Sequence, residues 1–298
     1  MVTDVSIKVA AFYRELPFNY EGTAAQAAKT IQEQNQIAMA YPPLASLLQE
    51  ARGRPVIDLG CGAGWFVNTA AQYYKAHVLG VDACEPAIER AAEVTKILGL
   101  GAKARYVCAD LFELDRQPLI SSQRFFIVNS LGVLHHTHDC RHALHHAARL
   151  VEPGGYLHLG LYHTYGRKPF LDLFRHDVAA YRSAQDLDQQ RAIEDRAFAR
   201  YRQLHAALTD EVLLRSWFRD QVLHPHESQH TLREVTDWLV EEGLTCRSTS
   251  INRFQPVDDW ATLFEEEKRL YEVSYQRNVK QQRYFPGFFI VVAQRTIS

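Results

Sequence analysis

The stretch that constrains this chain most is Val56-Ile57-Asp58-Leu59-Gly60-Cys61-Gly62-Ala63-Gly64-Trp65-Phe66: an apolar run, a bend with glycines at alternate positions, and the start of an amphipathic segment. Val56, Ile57 and Leu59 suit a strand of a parallel sheet, buried on both faces. Alternate glycines let the backbone turn tightly and approach a ligand closely, and the helix that follows aims its first N–H groups at that ligand. A strand, turn and helix of this kind open a doubly wound α/β sheet, which binds its ligand at the carboxyl ends of its strands.

Two ligand classes use such a turn, and the spacing discriminates between them. A dinucleotide rests its pyrophosphate on the helix N-terminus and calls for G-x-G-x-x-G. Starting at Gly60, that pattern meets Trp65 where it needs its third glycine; starting at Gly62, it meets Val67. Asp58, ahead of the first glycine, would repel a pyrophosphate, yet it can accept hydrogen bonds from an ammonium group. S-adenosylmethionine, which has an uncharged ribose, a methionine ammonium and no phosphate, fits better.

The run from Asp58 to Gly64 resembles the first motif of the class I S-adenosylmethionine-dependent methyltransferases, and further stations follow in that family's order. His77 to Asp82 reads as a second strand ending in an acid, placed where a doubly wound fold offers a carboxylate to ribose hydroxyls; Ala83 follows it in the same ligand-facing turn. Asp82 would otherwise be a solvated helix cap, since Pro86 follows shortly. A third strand, Ala104 to Cys108, leads to Asp110 and Leu111, where the resemblance implies an acid for the adenine amine and an apolar wall. The fourth, Arg124 to Ser130, runs into a loop through His135 and His136, so that Asn129 and Ser130 stand at the reacting edge. Phe126 departs from the acid that many relatives carry at that strand's start. A helix, the turn Glu152-Pro153-Gly154-Gly155 and a fifth strand, Tyr156 to Tyr162, complete the match.

Composition sets the outer limits. The 298 residues are 47% hydrophobic and 23% charged, with a formal net charge of −2. That is ordinary for a globular protein and exerts no electrostatic pull toward nucleic acid or an anionic membrane. Cys61, Cys84, Cys108, Cys140 and Cys246 are odd in number and scattered, which argues against a disulfide framework and suits a reducing cytosol. The N-terminus reads as neither a signal peptide nor a membrane anchor, so a cytoplasmic location is expected. Six histidines crowd the segment from His135 to His146. His142 and His146 share a helix face, but Asp139 serves more naturally as the N-cap of that helix, and no metal site is expected.

The flanks carry weaker signals. Residues 1–54 read as a cap of helical pieces broken at Pro17, Gly22 and Pro42-Pro43, and the resemblance makes Tyr13 and Tyr20 candidates near the methyl donor. Residues 55–164 form the cofactor-binding core. From 165 to 230 comes an insertion read as a helical lid, preceded by a polar exit loop in which His163 and Arg167 could meet a substrate. Its arginines alternate with acids, which points to a solvated helix face before an RNA surface. His224 and His226, in the compact run His224-Pro225-His226-Glu227, are further substrate candidates and, with Glu227, a second source of a proton acceptor. Residues 231–298 complete the sheet: a helix with the capping box Thr231/Glu234, a sixth strand from Thr245 to Ile251, a charged helix from Asp258 to about Gln282, and a last strand from Gly287 to Ala293.

The expectation is therefore an α/β protein with a doubly wound, mostly parallel seven-stranded sheet whose last strand is inserted antiparallel, bearing an N-terminal helical cap and a helical lid. The function expected is methyl transfer from S-adenosylmethionine to a small-molecule acceptor, with His136, His135 or Tyr20 as proton acceptor. Three alternatives are weaker: a tRNA or RNA methyltransferase, a non-catalytic S-adenosylmethionine-binding regulator, and a dinucleotide oxidoreductase, which Trp65 and Asp58 disfavour. Neither the acceptor atom nor the oligomeric state is readable.

Overall fold

In the computed structural model the described residues are 4–15, 22–205 and 208–297. Four helices precede the sheet: α1 (Asp4–Glu15), α2 (Ala24–Glu33), α3 (Gln36–Ala40) and α4 (Pro42–Ala51). Thr23 and Gln26 form a reciprocal capping box at the start of α2, and prolines occupy the first turn of α4, where a missing N–H costs nothing. Then β1 (Val56–Leu59), α5 (Trp65–Tyr73), β2 (Val78–Asp82), α6 (Glu85–Ile97), β3 (Ala104–Cys108), the single turn α7 (Pro118–Ser121), β4 (Phe125–Leu131), α8 (Cys140–Arg149) and β5 (Val151–Tyr162) alternate as the sequence predicts. The remainder comprises α9 (Thr164–Ser183), α10 (Leu187–Gln203), α11 (Glu211–Phe218), α12 (Leu232–Glu241), β6 (Leu244–Thr249), α13 (Trp260–Glu266), α14 (Leu270–Tyr275) and β7 (Phe288–Arg295).

The seven strands lie in the order β3-β2-β1-β4-β5-β7-β6. All pairings are parallel except those of β7, which runs antiparallel between β5 and β6, as expected. The chain winds outward through β2 and β3, then returns to β4 on the other side of β1, so the switch point lies between β1 and β4. Side chains alternate between two cores. Ile57 and Leu59 face α8 and α12, while Val56 and Phe126 face α4 and α5. A third cluster, with Phe170, Phe174, Phe198, Tyr201 and Phe218 at its centre, joins α9, α10 and α11 to one another. No helix among the described residues is long and apolar enough to cross a membrane.

Four local expectations are corrected. The Pro-Gly-Gly turn is absorbed into β5, with a register shift opposite Phe125 and Ile127 and Gly154 at φ +75°. The segment after β5 is not a loop: His163 caps α9, its ring accepting from the Gly166 N–H, and helix begins at Thr164. The charged run after Asp258 breaks into α13, a tight turn, α14 and a widened turn over Gln276–Lys280. Only half of the capping box at α12 forms. Thr231 accepts from the Glu234 N–H, but the Glu234 carboxylate turns to the His230 ring at 3.2 Å.

One buried ion pair ties the inserted helices to the sheet. Arg167 is fully buried, donating to Glu227 through Nε (3.0 Å) and Nη2 (2.7 Å), to the Gln221 carbonyl (2.6 Å) and to the Pro286 carbonyl (3.3 Å). Its guanidinium lies 3.7 Å from the ring centre of Tyr162, at the end of β5. Burial alone would raise Glu227, but the charge and hydrogen bonds of Arg167, together with His136 and Gln229, outweigh it and hold the carboxyl below its ordinary value. Glu227 therefore stabilises the fold above the unfolded glutamate pKa, and that contribution is lost as pH falls through the lower folded value. Arg167→Leu, which strands Glu227, is expected to cost about 3–5 kcal/mol in urea unfolding at neutral pH. An unchanged midpoint would show that the pair does not hold the insertion in place.

Candidate active site

The glycine turn and the tip of β2 are built as one unit. Gly60 and Cys61 both donate to the Val81 carbonyl, and Gly62 N–H donates to Asp82 Oδ2 at 2.8 Å. The other oxygen of Asp82 accepts from the Cys84 N–H, also at 2.8 Å. Gly60 sits at φ +74°, and a Cβ there would come within 2.3 Å of Val133 on the loop after β4, so glycine lets the two loops meet. Burial raises the Asp82 pKa, opposed by the N–H groups of Cys84, Gly62 and Ala83.

A cleft opens at this edge of the sheet. Its walls include Gly60, Gly62, Asp82, Ala83, Asp110, Leu111, Gly132, Val133 and His136, with Tyr13 and Val9 of α1 across the top. Asp110 uses one oxygen to cap the turn that follows it, accepting from the Phe112 N–H at 2.9 Å. Of the residues singled out in the sequence, Asp58, Gly64, Asn129 and Ser130 lie behind this wall. Gly64 starts α5 at φ +80°, against Ala91 and Tyr106; Ser130 donates to the Leu59 carbonyl. Asn129 donates to Asp58 Oδ1 at 2.7 Å, and its own carbonyl faces His158 Nδ1 at 2.8 Å. Burial lowers His158 to about 3, so the neutral ring donates through Nδ1 and orients the amide toward Asp58. Phe112, Thr137 and His138, which sequence reasoning did not single out, also line the cleft.

At the end of the cleft formed by the loop after β4 stands a buried polar cluster. His136 Nδ1 donates to the His226 carbonyl at 3.0 Å, which leaves Nε2 with its lone pair and no partner, 3.9 Å from Asp220 Oδ1. Tyr13 donates to that same Asp220 oxygen at 2.6 Å, and burial, followed by the Asp220 charge, pushes the phenol well above its ordinary pKa. The His224 ring lies 3.8 Å from that of His136, with its Nε2 also unpartnered. Sequence reasoning did not name Asp220; its spacing of four residues from His224 was the available signal. His135 lies behind His136, fully buried against Tyr162, with neither ring nitrogen bonded among the described residues. His163 and Arg167 are placed away from the cleft, bound to Glu267 (2.7 Å) and Glu227. His226 contributes its backbone to the cluster, whereas Tyr20 lies outside the described residues.

The donor set fits S-adenosylmethionine. Asp82 still has acceptor capacity for ribose hydroxyls, Asp110 and Leu111 stand farther along the same wall, and the glycine turn carries no basic residue for a phosphate. Asp82→Asn keeps the shape but removes the charge. It is expected to weaken S-adenosylhomocysteine binding by about 10–100-fold in equilibrium dialysis, with the fold retained by circular dichroism; unchanged affinity would refute the ribose role. Burial pushes Asp58 up to about 7, with the Asn129 amide pulling the other way. The carboxyl is thus neutral below that pH and ionised above it. Affinity for the ammonium-bearing product should fall as pH drops from about 8 to about 6, and Asp58→Asn should flatten the profile. A profile identical in the two proteins would remove Asp58 from recognition.

Comparison with known proteins agrees with this geometry. Residues 56–155 match a family described as a methyltransferase domain. A ubiquinone biosynthesis O-methyltransferase of Alkalilimnicola ehrlichii is 29% identical over 146 residues, 49% of this chain and 55% of the relative. The 27-O-demethylrifamycin SV methyltransferase of Amycolatopsis mediterranei is 32% identical over 117 residues, 39% of this chain and 42% of the relative. The chain spans about half the length of the curated relatives it matches. Among solved structures, magnesium protoporphyrin IX methyltransferase from Synechocystis PCC 6803 with bound SAM aligns over 99% of both chains, with a TM-score of 0.52 and 16% identity. PKMT2 from Rickettsia typhi in complex with AdoHcy aligns over 87% of this chain and 53% of its own, with a TM-score of 0.58 and 15% identity. At such identities the structures speak to the fold, and the matched domain together with the seven-stranded sheet shows that residues 56–155 form a methyltransferase domain within a class I methyltransferase fold.

Proposed function

We propose that this protein transfers a methyl group from S-adenosylmethionine to a hydroxyl of a small-molecule acceptor. The observation that carries the reading is the juxtaposition of His136, on the cleft wall, with the Asp220 carboxylate, which stands 3.9 Å from the unpartnered Nε2 of its ring. A bound S-adenosylmethionine supplies an electrophilic methyl on a sulfonium leaving group. The chain has two remaining tasks: to align the acceptor with that methyl and to dispose of the acceptor's proton. Asp82 and Asp110 fix the nucleoside at one end, Tyr13 and Val9 close the cleft against water, and His136 with Asp220 takes charge of the proton at the other.

Two further facts support a small acceptor. The relatives from Alkalilimnicola and Amycolatopsis carry names that specify oxygen methylation of small molecules. Among the described residues, each arginine of the inserted helices that sequence reasoning weighed for RNA has an acidic partner, which does not favour a nucleic-acid surface there. Arg196 and Arg200 bind Asp177, Arg215 binds Glu194 and Asp195, Arg219 binds Glu15, Arg191 meets Asp188 and Arg202 meets Glu211.

The test is transfer of isotope from methyl-labelled S-adenosylmethionine to a panel of phenols and alcohols, with amines and a short RNA alongside. Label in an ether product is expected, and Asp220→Asn should lower kcat by about 10²–10⁴-fold with S-adenosylhomocysteine affinity unchanged. Label appearing only in the amines or the RNA would overturn the reading, as would an unaltered kcat in that variant.

A further inference from the structure

His136, Asp220 and His224 bring one donor atom each to within 4.8 Å of one another, all three side chains being buried. They come from two places in the chain: the tight turn after β4, and the widened helical turn Arg219–Leu223 with the residue that follows it. Two of the donors, His136 Nε2 and His224 Nε2, have no hydrogen-bond partner among the described residues. A buried polar atom without a partner costs free energy, and two converging on one carboxylate ask for an occupant. We propose that these three residues hold a divalent first-row transition ion of the zinc class beside the cofactor cleft.

Several features match what such an ion requires. His136 donates its Nδ1–H to a backbone carbonyl, that of His226, the arrangement that fixes a ligating imidazole with its Nε2 lone pair presented. Asp220 Oδ1 accepts from the Tyr13 hydroxyl, a hydrogen bond that braces the carboxylate and leaves its other oxygen available. Two imidazoles and one carboxylate favour zinc, ferrous iron or cobalt over magnesium or calcium, which prefer all-oxygen shells. Three protein ligands leave a fourth position, and His136 lies on the cleft wall, so that position would open toward the acceptor.

Loading demands rearrangement. The imidazoles of His136 and His224 lie face to face, tilted by 37°, and ligand atoms around a tetrahedral zinc stand about 3.3 Å apart. His224 Nδ1 accepts from the His226 N–H at 3.1 Å, which places the ring proton on Nε2; ligation through Nε2 releases that hydrogen bond and shifts the proton to Nδ1. His224 is therefore the ligand that moves, drawn off the face of His136, and Phe12 of α1, packed edge-on at 5.1 Å from the His224 ring, moves with it. The inference does not depend on methyl transfer. If both hold, His136 is a ligand and not the base: the cation would lower the pKa of an acceptor hydroxyl at its open position, and the proton would pass to solvent water.

The test uses the full chain, stripped with a chelator and titrated with Co²⁺ alone, without cofactor or acceptor. One equivalent is expected to bring up visible d–d bands without the near-ultraviolet charge transfer that a cysteine thiolate would add, and Zn²⁺ should displace it. His224→Gln and Asp220→Asn, each confirmed folded by its thermal melt, should weaken binding at least 100-fold. The double variant His142→Ala/His146→Ala, which removes the histidine pair on one face of α8, should bind like the parent protein. Should a site variant fail to fold, the parent's melting temperature decides: Zn²⁺ raises it if the ion is bound here, by an amount that the α8 double variant reproduces. Absence of a one-equivalent transition, persistence of the bands in both site variants, or their loss in the α8 double variant would overturn the proposal.

Discussion

The Asp82 carboxylate is the joint on which the cleft depends. One oxygen accepts from the backbone of the glycine turn and the other from the chain just beyond β2, so a single side chain ties together two loops that the sheet merely brings near each other. Because both bonds are to backbone, the positions of Gly60 and Gly62 follow from where β2 ends. Val133 closes the space above Gly60 and ties the loop after β4 to the same assembly. A carboxylate bound in this way keeps lone pairs directed outward, where two hydroxyls of a ribose would find them.

Much of this was legible in the sequence because parallel strands have a strong local signature. Val56 to Leu59, Val78 to Val81 and Phe125 to Val128 are apolar on both faces, and each is followed within a few residues by glycine or acid. The turn Glu152 to Gly155 misled because a Pro-Gly-Gly run normally interrupts regular structure, and so read as the break between a helix and the fifth strand. Here Phe125 and Val151 already pair before the irregularity, and the sheet tolerates a shift in register with Gly154 at positive φ. The segment after Tyr162 misled for a different reason: His163 is polar and read as part of an exit loop open to substrate, yet it caps a long helix and is held by Glu267, more than a hundred residues away. Arg167 likewise read as a candidate substrate contact, whereas four chain segments converge on it. Contacts of that separation leave no local pattern.

At the site the division is similar. Asp82 and Asp110 stand on the cleft wall because strand ends in a doubly wound fold all reach one edge, which sequence spacing encodes. Asp220 could not be placed that way, since nothing in the order of residues tells that the inserted segment returns over the loop after β4. Tyr13 joins it from the other end of the chain. The wall proposed for the cofactor is thus built by the sheet, whereas the cluster proposed for the acceptor's proton is built by three excursions that meet beside it: α1, the loop after β4, and the segment from Arg219 to Glu227.

The central claim is that this cleft is shaped for a sulfonium nucleoside that carries no phosphate. Isothermal titration of the purified protein with S-adenosylhomocysteine, and separately with a nicotinamide and a flavin dinucleotide, tests it most directly. The account predicts a saturable heat with one S-adenosylhomocysteine per chain and none with either dinucleotide. Heat with a dinucleotide and none with S-adenosylhomocysteine would contradict it.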